Sequence, residues 1–143
     1  MNWMILTAVC GAVGLVVSAG EEPQGAGGKH RVCFEFVSQG GEQMESVLDN
    51  VENATTALGP HTETMVIAHG PGLALLMNTN KAGAKRIGSL IGKGVVFAVC
   101  ENTMKKKGVT KADLLEGVTT VDSGVAEVVR RQEAGWSYVK SGH

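Results

Sequence analysis

The chain has 143 residues, 43% of them hydrophobic and 19% charged, with a formal net charge of −1. That length suits one domain with a substantial core, and the composition excludes disorder for the bulk of the chain. A charge so close to zero, without a basic excess, argues against a nucleic-acid partner.

Residues 4–19 (MILTAVCGAVGLVVSA) carry no charge and fall short of the roughly 20 apolar residues a bilayer span needs. They end in Val17-Ser18-Ala19, small residues of the kind a signal peptidase requires. Residues 1–19 therefore read as a secretory signal peptide cut after Ala19, which predicts an exported and periplasmic protein. Met1-Asn2-Trp3 supplies no Lys or Arg, so the alternative is an uncleaved membrane anchor through residues 4–19. Residues 20–29, beginning GEEPQGAGG, form a flexible polar linker, and residues 30–143 form the folded domain.

From Arg31 onward strand and helix signals alternate. Arg31 to Ser38 (RVCFEFVS) is a β-type run closed by Gly40-Gly41. Met44, Val47, Leu48, Val51, Ala54 and Leu58 then draw one apolar face of a helix, which Gly59-Pro60 stops. Thr64 to His69 (TMVIAH) is a continuous apolar strand, expected to be covered on both faces. Gly70-Pro71-Gly72 turns it into a short apolar helix, Leu73 to Met77, and Lys81 to Lys93 resumes helical spacing through Ala84, Ile87, Leu90 and Ile91. Val95 to Val99 is a third buried strand, ending at Cys100. Thr110 and Asp113 resemble a capping box before Leu114-Leu115. Val118 to Val121 is a fourth strand, and Asp122 or Ser123 caps a helix carrying Val125, Val128 and Val129. Gly135 ends that helix, and Trp136 to Val139 alternates like an edge strand. Five strands separated by helices predict a three-layer α/β/α domain around a mostly parallel five-stranded sheet.

In such sheets, reactive groups gather at the carboxyl ends of the strands. Cys100 sits at such an end, where the chain can turn into a helix through Glu101-Asn102-Thr103. Backbone N–H groups there favour a thiolate, with Lys105, Lys106 and Lys107 adding positive potential and Glu101 opposing it. The alternative is a small buried hydrophobe. Cys33 lies near the amino end of the first strand beside Phe34 and Phe36, so its sulfur should stand more than about 10 Å from that of Cys100. A disulfide is thus not expected: Cys33 is core packing and Cys100 a free thiol. His69 ends the second strand at the same edge, either as a proton-transfer partner or as a residue bonded to the following turn. Gly70 and Gly72 would let a backbone approach a ligand, although Pro71 removes an N–H from any anion nest. His30, His61, His69 and His143 are scattered without metal-ligand spacing, so neither a metal nor another cofactor is expected. GxGxxG, GxxxxGK[ST] and GxSxG are all missing from the sequence.

Three stretches together resemble the DsrE/DsrF-like family, particularly its small stand-alone members. They are Met65 to Leu76 (MVIAHGPGLALL), Gly94 to Gly108 (GVVFAVCENTMKKKG), and Val118 to Tyr138 with its Val-Asp-Ser-Gly-Val. The middle stretch is the most specific, and the likeness runs from about Arg31 to Lys140. The resemblance implies a compact α/β/α domain that assembles into homotrimers or homohexamers. In relay members a cysteine matching Cys100 accepts sulfur as a persulfide and passes it on. Only that position carries over as catalytic; His69 matches a recurring feature of the stand-alone members without a stated role. A signal peptide departs from the cytoplasmic relay partners, so neither donor nor acceptor follows from the likeness. The sequence thus predicts a persulfide carrier acting through Cys100 and His69, with Gly70, Gly72, Asn102 and Thr103 toward the substrate. The rival expectation is a non-enzymatic binding or assembly module in which Cys100 is structural.

Overall fold

The computed structural model describes residues 29–142; the predicted signal peptide and nearly all of the predicted linker lie outside the described residues. Five strands form one sheet: β1 (Arg31–Phe36), β2 (Glu63–Ala68), β3 (Val96–Cys100), β4 (Thr119–Val121) and β5 (Ser137–Ser141). Between them run α1 (Gly41–Leu58), α2 (Lys81–Gly92), α3 (Glu101–Lys107) and α4 (Gly124–Glu133). The sheet order is β4-β3-β2-β1-β5, and every neighbouring pair is parallel. The expected fold class holds, with the sheet wholly parallel where mostly parallel was predicted.

Connection order explains which helix covers which face. The steps β1 to β2, β2 to β3 and β3 to β4 all move the same way across the sheet. Right-handed crossovers therefore put α1, α2 and α3 on one side. The return from β4 to β5 runs the opposite way and carries α4 over the other face. The cores agree. Val47, Leu48 and Val51 of α1, Ile87 and Leu90 of α2 and Met104 of α3 pack with Phe34, Phe36, Val66, Phe97 and Val99. Val128 of α4 packs instead with Cys33, Met65, Ile67 and Ala98. Strand side chains alternate between faces, so these two sets are alternate positions along the same strands. β2 is buried at every position after Glu63, as its unbroken apolar run predicts.

Two local predictions change form. The short helix expected at Leu73–Met77 is a 3₁₀ segment starting earlier, Gly70–Leu76, with Pro71 in its first turn. Gly72 there is wedged against β1: a methyl added to it would stand 2.2 Å from the Phe36 carbonyl oxygen. The Thr110–Asp113 capping box forms, with the Thr110 N–H and hydroxyl donating to the Asp113 carboxylate at 2.8 and 2.7 Å. It closes only one 3₁₀ turn, because Leu114 is extended and pairs antiparallel with Met77. At the α1 terminus Gly59 adopts φ +86°, a conformation open to glycine and costly to most residues. Ser123, not Asp122, caps α4, its Oγ accepting the Ala126 N–H. The predicted edge strand begins one residue later than expected, at Ser137, and lies beside β1.

Candidate active site around Cys100

Cys100 is the last residue of β3 and the cap of α3, with extended backbone angles of φ −69° and ψ 117°. The first peptide N–H groups of a helix have no carbonyl of their own helix to bond. Here those of Asn102 and Thr103, together with the N–H of Gly124 at the start of α4, favour the Cys100 anion. The Thr103 hydroxyl joins them. Its oxygen accepts the Gly70 N–H at 2.9 Å, which leaves its own hydrogen free for the sulfur. Cys100 is 5% exposed, and this burial, the largest single influence, pushes its pKa up. The combined donors from Gly124, Thr103 and Asn102 outweigh it, and the thiol ends below its ordinary value. Those donors, and not the neighbouring lysines, dominate the shift. Glu101 is turned aside, its carboxylate accepting the Thr120 hydroxyl at 2.6 Å.

His69 stands next to it. Its backbone continues β2 in extended form, donating its N–H to the Phe36 carbonyl at 3.2 Å. The pairing of Ala68 with Val99, carried one residue further, sets His69 level with Cys100 on neighbouring strands, about 4.8 Å apart. Both residues fall on the α4 face. The imidazole Nε2 lies 2.8 Å from Glu35 Oε1 on β1, and Tyr138 on β5 donates its hydroxyl to Glu35 Oε2. Gly124 leaves room for this ring: a methyl there would stand 2.9 Å from His69 Cβ and 3.0 Å from Cδ2. One glycine thus both gives its N–H to the sulfur and makes space for the histidine.

An open crevice of about 520 Å³ lies in front, lined by His69, Gly70, Pro71, Asn102, Thr103, Lys106 and Lys107. Neither Cys100 nor Lys105 is part of the lining. Of the residues expected to face a substrate, Gly70, Asn102 and Thr103 gather here with His69. Gly70 takes φ +56°, and its N–H is already committed to Thr103. Gly72 lies apart, its close approach being to the β1 backbone. Cys33 and Cys100 are both free thiols. The β1 and β3 registers place them four residues apart along the strands, about 13 Å, with β2 between. Among the described residues there is no cluster of His, Cys, Asp and Glu fit to hold a metal ion, and no helix is long and apolar enough to cross a membrane.

Sequence reasoning missed Glu35, Tyr138 and Gly124. Glu35 left a trace, being a carboxylate among the buried apolar residues Val32, Cys33, Phe34 and Phe36, where charge is rarely found unpaired. Tyr138 and Gly124 left none, because both depend on which strand lies beside β1 and on which face α4 crosses.

The profile of the DsrE/DsrF-like family matches residues 32–140. The chain belongs to the DsrE/DsrF-like family. That family is associated with sulfur relay. Among solved structures, a protein of unknown function from Methanobacterium thermoautotrophicum, MTH1491, is similar at 33% identity and a TM-score of 0.74. The similarity covers 78% of this chain and 98% of that one. A conserved protein of unknown function from Bacteroides thetaiotaomicron, BT1422, shares the fold, with a TM-score of 0.63 and 12% identity over 77% of this chain and 93% of its own. No curated protein matches. Membership of the DsrE/DsrF-like family fits the geometry at Cys100, a thiol at a sheet edge with its anion favoured.

Proposed function

We propose that this protein carries sulfane sulfur on Cys100. The observation that supports the reading most is the place of this thiol, at the end of β3 and the start of α3, level with His69 on the neighbouring strand. Thiolate, not thiol, is the nucleophile in sulfur exchange, so a site that lowers the thiol pKa raises the reactive fraction near neutrality.

The exchange is balanced without any redox cofactor. The Cys100 thiolate attacks the outer sulfur of a donor persulfide R–S–SH. A new S–S bond forms at Cys100 Sγ as the donor's S–S bond breaks, and the electron pair leaves with R–S⁻. An acceptor thiolate then attacks the outer sulfur of Cys100–S–SH and restores the Cys100 thiolate. Sulfur changes carrier, and no net oxidation occurs. His69 takes the acceptor's proton so that the attacking species is the anion. Only small or narrow sulfur species suit a thiol that is 5% exposed.

Intact mass after incubation with inorganic polysulfide is the test. A gain of about 32 Da for one sulfur is expected at Cys100, lost in Cys100→Ser and kept in Cys33→Ala. An unmodified Cys100, under conditions that load a control thiol carrier, rules the reading out.

A further inference from the structure

One row of polar side chains crosses the α4 face of the sheet from the site to its edge: Cys100 on β3, His69 after β2, Glu35 on β1 and Tyr138 on β5. Four successive strands contribute one residue each, and the registers make the row slope. Glu35 pairs with Ile67, two residues below His69, while Tyr138 pairs with Cys33, two below Glu35. Among the described residues, Glu35 is the only side chain that hydrogen-bonds His69. Its two oxygens are used separately, Oε1 by His69 and Oε2 by Tyr138.

We infer that Glu35 and Tyr138 are positioning residues: together they hold His69 as the tautomer protonated at Nε2, leaving Nδ1 to accept the proton of an incoming thiol. An ionised carboxylate only accepts hydrogen bonds, so the ring nitrogen 2.8 Å away must carry hydrogen. The Tyr138 hydroxyl occupies the other oxygen and keeps the carboxylate from rotating toward solvent. Burial pushes the Glu35 pKa up, but the bonds from Tyr138 and His69 more than offset it, so the carboxyl stays below its ordinary value. The bond to Glu35 first, then burial, pushes the Tyr138 phenol up to about 12, and it remains a donor.

Other titratable groups facing the row do not displace this arrangement. Cys33 lies on β1 and Lys140 on β5, the latter also favouring the Glu35 anion. Glu127 of α4 is engaged by Arg130 at 3.2 Å and Arg131 at 2.7 Å. Lys106 and Lys107 of α3 line the crevice on the far side of His69.

The acceptor-thiol part of the inference rests on the sulfur-carrier reading, and the experiment separates the two. Full-length protein is loaded with polysulfide and discharged at mildly alkaline pH either to dithiothreitol or to sulfite. A thiol must lose a proton to attack; sulfite, already a dianion there, attacks the outer sulfur as it is and leaves as thiosulfate. Glu35→Gln is expected to slow discharge to dithiothreitol roughly tenfold, with discharge to sulfite within about twofold of wild type. Tyr138→Phe, a milder change on an edge strand, is expected to slow the thiol reaction roughly twofold to threefold. The ¹⁵N spectrum of the imidazoles supplies a readout that a purely structural role would leave alone. Wild type should show His69 protonated at Nε2. Glu35→Gln, whose carboxamide both donates and accepts, should populate the Nδ1–H form as well.

A wild-type His69 carrying its proton on Nδ1 overturns the inference. So does a Glu35→Gln protein with an unchanged spectrum, or one in which sulfite discharge falls as far as thiol discharge. Failure of wild type to load any sulfur defeats the carrier reading, and the nitrogen spectrum then decides the role of Glu35 and Tyr138 on its own.

Discussion

Cys33 and Cys100 are almost equally buried, at 0% and 5% exposure, and lie on the same face of one sheet, yet their acidities move in opposite directions. Burial raises both. For Cys33 it is the largest influence, beyond the opposing pull of Arg131, and the thiol reaches about 11. For Cys100 the same cost is overcome by the N–H groups of Gly124, Thr103 and Asn102 and the Thr103 hydroxyl. The cause is position along a strand. Inside β1 the peptide N–H groups are consumed by the two flanking strands, and Cys33 packs in an apolar cluster with Met65, Ile67, Ala98 and Val128. At the end of β3 the ladder stops and helices begin, whose first N–H groups still need acceptors. Depth does not make a thiol inert; the lack of unpaired donors does.

The comparison predicts its largest effect in native alkylation. With a pKa of about 11, Cys33 is thiolate in about one molecule in ten thousand at pH 7. Iodoacetamide should label Cys100 at least about a hundredfold faster than Cys33, with the two rates converging in denaturant. Peptide mapping by mass measures both sites in one sample. Equal labelling in the native protein, or none at Cys100, would break the contrast.

Two glycine substitutions extend the contrast to packing. Gly72→Ala drives a methyl to 2.2 Å from a backbone oxygen of β1, which cannot move without disturbing the sheet. It should cost about 3 kcal/mol in urea denaturation. Gly124→Ala meets His69 at 2.9 Å, a side-chain contact at the site, and should cost about 1–2 kcal/mol. Its sharper signature is reactivity: displacing the Gly124 N–H removes a donor worth about 1.4 kcal/mol, slowing Cys100 alkylation at pH 7 roughly tenfold. Should Gly72→Ala prove the more damaging to reactivity per unit of stability lost, the division between core glycine and site glycine fails.

How much of this was legible beforehand follows the same physics. Apolar runs, turn residues and spacing between them were sufficient to place the five strands and the parallel sheet, because those signals are local. Cys100 was legible as a strand-end residue for the same reason. Its donors were only half legible. Asn102 and Thr103 follow in sequence, whereas Gly124 reaches it from α4 through the crossover from β4 to β5. The predicted lysine field was misplaced in emphasis, since ammonium groups on flexible stems act through solvent while peptide N–H groups act at contact. Glu35 and Tyr138 are 103 residues apart and meet only because β5 lies beside β1. The neighbours of a central strand can be read from alternation; the strand that closes an edge cannot.

Alkaline titration sharpens the contrast at smaller magnitude. Cys33 has its folded pKa raised from 9.0 to about 11, so the stability linked to its neutral form is complete below 9.0 and lost as pH rises through about 11. Cys100 has its folded pKa lowered, so its contribution is complete above 9.0 and is lost as pH falls through the lowered value. Between pH 8 and pH 10.5, wild type should lose about 2 kcal/mol more than Cys33→Ala in urea denaturation. An equal loss in both proteins would mean that Cys33 does not resist ionisation as its apolar surroundings require.

The smallest predicted effect is the most discriminating about what favours the Cys100 anion. If peptide N–H groups and Thr103 dominate, removing the charges of Lys106 and Lys107 should leave iodoacetamide labelling within about twofold, because this reagent is neutral and reports the thiolate fraction. The lysines still line the crevice, so an anionic disulfide reagent should feel them. Lys106→Gln with Lys107→Gln should slow such a reagent roughly threefold at low ionic strength, and the difference should vanish near 1 M salt, where screening acts within about 3 Å. A parallel fall with both reagents would reassign the acidity of Cys100 to the lysines. A salt-sensitive fall with the anionic reagent alone keeps the two roles apart: contact donors set the charge on the sulfur, and the lysines draw anions toward it.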